Sequence, residues 1–293
     1  MELQQMRYVV AVAEERNFTR AAQRCHVVQS ALSHQIKALE RELGVPLFVR
    51  NSRRVELTSA GEQFVASARA SLSAAERAVA DATGVSGELR GELRLGLIPT
   101  VNALNVPATL GDFHRKHPAV SIKLVSGSSD NFMAAIAEGH LDLAVLGLPE
   151  SVTPRGVQTT ALAREALVAV LSAEHRLAPQ PRVSLEELAR ESLVDFPGGT
   201  TGRSQTDIAF ERAGLTRTVV FEAMTTPLIL DLVRHGLAVA ILPGSVVPDD
   251  PQLVCLPIGK GGPVRVEYLA WRSFNPSPAA RVFLEMLVPH KDI

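Results

Sequence analysis

The sequence predicts an N-terminal all-α winged helix-turn-helix with a long linker helix, followed by a C-terminal α/β domain of two lobes. Three observations predict this fold class. Apolar residues recur at helical spacing through residues 3–43, with one tight turn near residue 27. A longer amphipathic stretch follows at 59–82. From residue 92 onward, short strand-like runs alternate with helical ones, which is typical of a parallel sheet with helical crossovers.

Composition sets the outer limits. The chain has 293 residues, which favours about two domains, and a formal net charge of −1, so total charge does not indicate nucleic acid. No apolar run reaches the ~18 residues of a membrane helix. The early acids of the N-terminal segment and the lack of a small-residue cleavage site argue against a secretory signal. Two distant cysteines form neither a disulfide framework nor a metal motif, so we expect a cytoplasmic protein.

The first three helices are predicted from their apolar spacing. The first covers residues 3–14, with Leu3, Met6 and Val9 on its inner face. The second runs over about 19–25 after cap oxygens at 17 and 19, and residues 26–28 form the turn. The third runs from Gln29 to Leu43, and Gly44 is its stop signal.

The outer side of the third helix carries short hydrogen-bonding groups and a cation, which suit the DNA major groove. These residues are Gln29, Ser30, Ser33, His34 and Lys37. Arg20 lies on the second helix beside them. Residues 47–49 and 55–57 alternate as two short strands around a basic tip with Arg50, Arg53 and Arg54, a wing suited to phosphates. The alternative for each single residue is an ordinary solvent-exposed helix face.

These residues resemble the winged helix-turn-helix of LysR-type transcriptional regulators. The matching stretches are FTRAAQRCHVVQSALSHQIKALERELGVPLFVR and RRVELTSAGE. The resemblance places Gln29, Ser30, Ser33 and His34 at groove-facing positions and the arginines of the wing on the DNA backbone. The chain departs from the family at Val28, where Ser is frequent, and at Ser30, where Pro is frequent. Because Val28 has no acceptor, we expect Gln29 or Ser30 to cap the third helix.

The linker helix opens at Ser59, whose spacing to Glu62 matches a capping box, and continues to about Ala82. Its apolar stripe needs a partner, for which a second copy of the chain is the natural candidate. Packing on its own chain is the alternative. The resemblance implies an antiparallel linker-helix dimer that presents two DNA-binding domains to a double-stranded DNA operator. It also implies tetramers built from such dimers, and activation through contact with RNA polymerase.

The C-terminal region reads as two similar α/β halves. The first has strands at 92–98, 120–125 and 141–146 with helices at 103–116 and 131–138. Two strand-like runs follow at 157–161 and 166–171. The second half has helices at 184–190, 204–213 and 226–235 and strands at 192–196, 218–222 and 237–242; strands near 252–257 and 264–272 and a helix at 278–287 close the chain.

The resemblance implies a regulatory region that is similar to periplasmic binding proteins, with the chain crossing twice between lobes. We place the crossings at 161–164 and 264–267. The predicted domains are residues 1–58 for DNA binding, 59–87 for the linker helix and hinge, and 88–293 for effector binding. Lobe I is then 88–162 with 266–293, and lobe II is 163–265.

Hydroxyl-rich loops at four predicted strand-to-helix junctions suggest an effector site between the lobes. Helix N-termini offer free N–H groups and a favourable dipole, so a small carboxylate or other anion is the expected ligand. The candidate residues are Thr100, Asn102, Ser128, Phe196, Thr200 and Thr226. The resemblance places Thr100, Ser128, Thr200 and Thr226 at or near effector-contacting positions. Plain helix capping is the alternative for any single hydroxyl.

Other classes of protein fit less well. His114 and His117 share a helix but have no third metal ligand nearby, and no nucleophile or phosphate-loop motif occurs, so we expect no enzyme, no metal and no cofactor. A redox switch needs a reactive, partly exposed thiol. Cys25 looks packed and Cys255 looks like a core strand residue, and the cysteine pair of peroxide-sensing relatives is missing. A periplasmic solute-binding protein would not explain the N-terminal domain.

Overall fold

The computed structural model describes residues 1–50, 55–84, 89–272 and 276–287. The chain forms two compact units. The first comprises residues 1–90 with 138–140, and the second comprises residues 91–137 with 141–293.

The first unit holds three short helices, a two-stranded wing and a long helix. The helices are α1 (Leu3–Glu15), α2 (Phe18–Arg24) and α3 (Gln29–Leu43), the wing is β1 (Phe48–Arg50) with β2 (Val55–Leu57), and the long helix is α4 (Ser59–Gly84). Asn17 caps α2 by accepting from Thr19 N and Arg20 N, and Gly44 ends α3 at φ 73°. The core lies between the helices and the wing, and its buried members include Val9, Val12, Leu32, Ile36, Leu39 and Leu47.

Two predicted caps are wrong. Val28 is the N-cap residue of α3 and its helix begins at Gln29 without any side-chain cap, so neither Gln29 nor Ser30 supplies the expected oxygen. For α4, the cap oxygen belongs to Thr58 rather than Ser59, because Thr58 Oγ1 accepts from Gly61 N at 2.9 Å. The same hydroxyl donates to Pro46 O at 2.7 Å, and this bond fixes the start of α4 against the wing.

Two residues of the family-like motifs hold the wing in place. Glu40 Oε1 accepts from Leu47 N at 2.8 Å and from Phe48 N at 3.2 Å, so the end of α3 orients the first wing strand. Gly61 packs so closely on the wing that a Cβ there would lie 2.1 Å from Leu47 O. Only glycine fits at that contact.

Over its described residues, the second unit is built on a nine-stranded sheet. The strands are β3 (Gly91–Leu97), β4 (Val120–Ser126), β5 (Leu143–Pro149), β6 (Gln158–Ser172), β7 (Ser192–Asp195), β8 (Thr218–Glu222), β9 (Val239–Pro243), β10 (Leu253–Pro257) and β11 (Val264–Trp271). Their order is β4-β3-β5-β11-β6-β9-β7-β8, and β10 pairs with β6. The helices are α5 (Val106–Lys116), α6 (Ser129–Ala137), α7 (Leu185–Leu188), α8 (Thr201–Arg212), α9 (Thr226–Arg234) and α10 (Pro278–Leu287).

The sheet divides into two parallel sets, which we call lobe I (β3, β4 and β5) and lobe II (β7, β8 and β9). The antiparallel strands β6 and β11 run between the two sets. Helix α10 returns to lobe I, where the Phe283 and Phe113 rings form a T-shaped pair with their centroids 5.2 Å apart.

Strand β6 is one continuous strand of 15 residues, although the sequence predicts two separate runs. Its first half pairs with β11, and its second half pairs with β9 and β10. The register against β11 shifts between Glu267 and Tyr268, so that Ala163 and Ala161 are their partners and Leu162 is the extra residue. A bulge of this kind bends a strand and increases its twist. The two lobes are therefore joined through a bent pair of strands.

Candidate nucleic-acid interface and effector cleft

The α3 residues that the sequence predicts to contact DNA lie together on the exposed side of that helix. Gln29, Ser30, His34 and Lys37 are exposed and Ser33 is half-buried, whereas the core side holds Leu32, Ile36 and Leu39. Val28, which precedes them, is 68% exposed. Its apolar side chain cannot accept from the first N–H groups of the helix, which have no side-chain cap and suit an anion such as a phosphate.

The arginines of α2 are ion-paired within the unit. Arg20 Nε lies 3.2 Å from Glu15 Oε2, and Arg20 also donates to the carbonyl oxygen of Glu15. Arg24 lies 2.5 Å from Glu14 Oε2, and its hydrogen bond to Glu14 raises the pKa of the guanidinium. The side chain of Arg50 and the whole of Arg53 and Arg54 lie outside the described residues.

The second unit contains a cleft between lobe I and lobe II, of about 360 Å³ when the space at its open mouth is included. The carboxyl ends of β3 and β4 border it on one side and those of β7 and β8 on the other, the usual ligand position in open α/β sheets. Its lining residues are Ile98, Pro99, Thr100, Gly127, Ser128, Ser129, Gly147, Phe196, Thr200, Thr201, Gly202, Gln205 and Met224.

Four of the six predicted effector residues line this cleft, namely Thr100, Ser128, Phe196 and Thr200. The other two lie outside the lining. Asn102 has an exposed side chain, and its backbone N donates to Glu267. Thr226 is buried and donates to Pro99 O at 3.0 Å.

The hydrogen bonds already made by each hydroxyl determine which of them a ligand can use. Thr200 Oγ1 donates to Pro197 O at 2.7 Å and accepts from Arg203 N at 3.3 Å, so it serves the N-cap of α8. Ser129 Oγ is likewise committed, since it donates to Gly147 O at 3.2 Å and accepts from Gly147 N at 3.0 Å. Both side chains have no hydrogen left for a ligand.

Three other hydroxyls still have a hydrogen that they can donate to a ligand. Thr201 Oγ1 is buried and has no partner among the described residues. Ser128 lies at the N-terminus of α6 and has no side-chain hydrogen bond within the described chain. Thr100 accepts one hydrogen bond and keeps its own hydrogen. A buried polar atom without a partner is uncommon in a folded protein, and Thr201 therefore marks a place where a ligand or water belongs.

The character of the cleft follows from its walls. The N-termini of α6 and α8 face it through Ser128–Ser129 and Thr200–Gly202. Ile98, Phe196 and Met224 supply an apolar surface, and no charged side chain of the described residues lines the cleft. The arrangement suits a small molecule with hydrogen-bond acceptors at one end and an apolar body.

A buried charge cluster that the sequence did not predict lies behind Thr100. Arg265 is 1% exposed and donates to Thr100 Oγ1 at 2.7 Å and to Thr100 O at 2.9 Å. Its remaining donors contact Glu165 Oε1, at 2.9 Å from Nε and 2.6 Å from Nη2, and Glu267 Oε2 at 3.0 Å.

Glu267 completes this cluster from the same strand. It is 1% exposed, and its Oε1 accepts from Ala103 N at 3.0 Å and from Asn102 N at 3.2 Å. Burial raises the pKa of this carboxyl, although Arg265 and the two backbone donors act in the opposite direction. Asn102 therefore contacts this cluster through its backbone N–H, and its side chain does not line the cleft.

Two further hydrogen bonds join the lobes across the cleft. Gln205 of α8 donates from Nε2 to Gly147 O on β5 at 3.0 Å, and Thr226 of α9 makes the bond to Pro99 O described above. Both donors belong to lobe II helices and both acceptors belong to lobe I. They hold the lobes in the arrangement seen here.

The cysteines occupy different positions from those expected. Cys255 is exposed on β10, so its predicted core position is wrong, whereas Cys25 is half-buried and burial raises its pKa. The two thiols belong to different units. Over the described ranges, no group of His, Cys, Asp or Glu could hold a metal ion, and no helix is long and apolar enough to cross a membrane.

Comparisons with known proteins agree with this geometry. Residues 3–62 match the model of the bacterial regulatory helix-turn-helix proteins of the lysR family, and residues 86–292 match the LysR substrate binding domain. The uncharacterized HTH-type transcriptional regulator YnfL of Escherichia coli K12 is 36% identical over 97% of this chain and 96% of its own length.

Two solved structures are similar over nearly the whole chain. A full-length OxyR variant from Pseudomonas aeruginosa has a TM-score of 0.74 at 30% identity and covers 98% of this chain and 93% of its own. Full-length CbnR in complex with its target DNA has a TM-score of 0.68 at 26% identity and covers 98% of both chains. The relatives are transcriptional regulators rather than enzymes, and the predicted fold class is confirmed. This chain belongs to the LysR family of DNA-binding transcriptional regulators.

Proposed function

We propose that this regulator binds a small carboxylate, or another anion of similar size, in the cleft between lobe I and lobe II, and that the ligand changes its binding to DNA. A ligand moves such an equilibrium only if it binds two arrangements of the protein unequally. The bonds between the lobes supply a contact that two arrangements would not share.

The observation that carries the proposal is the set of donors that remain unused in the cleft. Thr100, Ser128 and Thr201 each have a hydroxyl hydrogen available, and two helix N-termini face the same space. An anion would satisfy these donors without needing a cationic side chain, as it does at other helix N-termini. The apolar wall at Phe196 and Met224 favours a ligand with a hydrocarbon body.

A direct test is isothermal titration of the full-length chain with a panel of small aliphatic and aromatic monocarboxylates. We expect at least one to bind the wild type, and Thr100→Val to weaken it about tenfold, the effect of losing a hydrogen bond to a charged group. Ser121→Val on β4, an exposed residue away from the lining, is the matched control. Tight binding that Thr100→Val leaves unchanged would place the ligand elsewhere.

We propose that α3 reads DNA in the major groove, with Gln29, Ser30, Ser33 and His34 at base edges. Phosphates would be held by Lys37 and by the arginines at positions 20, 50, 53 and 54. The exposed side of α3 supports these roles.

We expect Gln29→Ala to reduce the preference for a selected operator over a random duplex. Lys37→Ala should weaken both and lower the slope of log affinity against log salt by about 1. Equal losses on both duplexes for both variants would refute this division.

We also propose that the chain acts as a dimer through α4, that two dimers form a tetramer, and that an activating complex contacts RNA polymerase. The length of α4, with 26 residues and an apolar stripe, supports the dimer. A dimer would present two α3 helices to two half-sites of one operator.

A further inference from the structure

Arg265 is the strongest unexplained feature of the cleft region. It does not line the cleft, yet its guanidinium holds Thr100 both at the hydroxyl and at the carbonyl oxygen. Glu165 and Glu267 occupy its remaining donors and fix its orientation. The cluster lies beside the bulge at which β6 and β11 join the lobes.

The chemistry of these groups decides the direction of the hydrogen bond. An arginine side chain has five donors and no acceptor, so Thr100 Oγ1 must be the acceptor in its bond with Arg265. The Thr100 hydrogen then cannot point at Arg265, and no carbonyl or carboxylate of the described residues receives it. Thr100 lines the cleft, so this hydrogen is available to a ligand there. A cation behind the oxygen also makes the hydroxyl a stronger donor.

We propose that Arg265 is a positioning residue of the effector cleft: it occupies an acceptor position of Thr100 Oγ1 and leaves the hydroxyl hydrogen to the cleft, so the ligand atom preferred beside Thr100 is a hydrogen-bond acceptor. This inference rests on the proposed function, because it requires the ligand to bind in this cleft. It goes beyond that function by fixing the polarity of one contact. It also gives a role to a residue that does not touch the ligand.

The variant for the test must remove the guanidinium without leaving a buried charge behind. Arg265→Met alone would leave Glu267 buried without its cation, which destabilises a fold strongly. Arg265→Met combined with Glu267→Gln removes one cation and one anion, so the net charge of the cluster is unchanged. The glutamine oxygen can still accept from Asn102 N and Ala103 N. We call this combination the paired variant.

The probes are benzoate and benzamidinium, which are planar and of the same size but carry acceptors and donors respectively. Each is titrated into the full-length wild type and the paired variant by calorimetry. We expect the wild type to prefer benzoate, and the paired variant to lose about tenfold in benzoate affinity while its benzamidinium affinity is unchanged or higher. Equal losses for both probes would show that Arg265 only supports the structure, and would overturn the proposal.

A second measurement does not depend on any ligand. Thr100→Val is introduced into the wild type and into the paired variant, and the midpoints of thermal unfolding are compared. We expect a larger drop in the wild type, because only there does the substitution remove an acceptor from Arg265. Equal drops would overturn the assignment whichever probe binds. Unequal drops with no binding of either probe would support the Arg265–Thr100 assignment and count against an aromatic carboxylate as the ligand of the proposed function.

Discussion

Gly61 shows how one residue can fix the position of the wing. A Cβ at Gly61 would lie 2.1 Å from Leu47 O, a backbone atom that cannot move without shifting the start of the wing. We therefore expect Gly61→Ala to lower the free energy of unfolding by about 1–3 kcal/mol, as overpacking does. Urea unfolding of the full-length chain measures this change.

The matched control is Gly111→Ala, the same substitution at another helical glycine. A Cβ at Gly111 would meet only the end of the flexible Arg115 side chain, at 3.4 Å. There we expect a gain of up to about 1 kcal/mol, since alanine has the higher helix propensity. A similar loss at both positions would mean that the contact with Leu47 is not the reason.

Glu267 gives the second unit a defined pH dependence. Burial raises the pKa of its carboxyl from the ordinary 4.5, so the folded state holds the proton more tightly than the unfolded state does. The stability that this group contributes is therefore fully present below pH 4.5 and is lost as the pH rises through the raised value. In Glu267→Gln the contribution cannot change with pH. We expect the unfolding free energy of the wild type, relative to the variant, to fall as the pH rises.

Urea unfolding of both proteins across a pH series from mildly acidic to neutral checks this expectation. A difference that stays constant would show that Arg265 and the backbone donors cancel the effect of burial on the pKa of Glu267, and a difference that grows with pH would show that they outweigh it.

Arg265 and Glu267 also show why part of the site could not be predicted. They alternate with Val264, Val266 and Tyr268, so the usual rule for a half-buried strand places the three apolar residues inside. In the structure the charged residues are the more buried set, because they bind each other and the loop after β3. The sequence feature that could have indicated this buried cluster is a pair of opposite charges two residues apart in an apolar strand.

At the scale of elements, α3 was predicted with its observed bounds, Gln29–Leu43. Its apolar period is regular and Gly44 can adopt the left-handed conformation that ends a helix. The sequence prediction divided strand β6 into two runs, because the bulge at Leu162 interrupts the alternation of inward and outward side chains along the strand. Cys255 was placed in the core because the sequence does not show that β10 pairs with β6 alone, with Leu256 buried and Cys255 exposed.

The ion pair between Glu15 of α1 and Arg20 of α2 leads to a prediction about DNA binding. Glu15 binds the Arg20 side chain and so competes with any phosphate for it. We expect Glu15→Gln to tighten binding to operator and random duplex by the same factor, about two- to fivefold at low salt, because phosphate contacts carry no sequence information. Fluorescence anisotropy with both duplexes measures the two affinities.

Glu42→Gln is the control for this prediction. It removes the same charge from the same unit, but Glu42 pairs with the N-terminal ammonium of Met1 at 2.8 Å rather than with an arginine. Its effect on binding should be small. If both variants bind DNA equally well, general charge rather than release of Arg20 explains the gain.

At the scale of the whole molecule, the fold class could be predicted because two independent patterns agree. The first seventy residues carry closely spaced motifs, and the rest alternates strands with helices. The cleft was predicted only where loops carry hydroxyls at strand ends, as at Thr100 and Ser128. The buried Thr201 is the first residue of α8, and Gln205 lies within the same helix. No local sequence pattern distinguishes these two from other helix residues.

The proposed dimerisation through α4 predicts that a charge placed on its apolar stripe prevents the dimer. Leu72 lies on the apolar stripe and is half-buried, whereas Ala74 is exposed. We expect residues 1–87, which include a core of their own, to sediment as a dimer at micromolar concentration. Leu72→Glu should yield a monomer, because a buried carboxylate at an apolar interface is costly, and Ala74→Glu should remain a dimer. A monomeric wild-type fragment would refute the linker-helix dimer.

The bonds that join the lobes lead to the last prediction. Thr226 does not line the cleft, but its hydroxyl holds α9 to Pro99 O across it. Removing that bond should favour a more open arrangement and thereby lower the affinity for any ligand that binds the closed one. We expect Thr226→Val to weaken the best monocarboxylate about three- to tenfold, in proportion to one hydrogen bond.

Spin labels at Ser121→Cys and Thr218→Cys, on the exposed edge strands β4 and β8 and with both native cysteines replaced by serine, report the distance between the lobes. The distribution should broaden towards longer distances in Thr226→Val. Thr109→Val is the matched control, because its hydroxyl donates to the O atom of Asn105, the N-cap residue of α5, and not across the cleft. Since the same atoms are changed in both, an effect confined to Thr226 can arise only from the contact between lobes. Unchanged distances and an unchanged affinity in Thr226→Val would mean that the lobes are held by β6 and β11 alone.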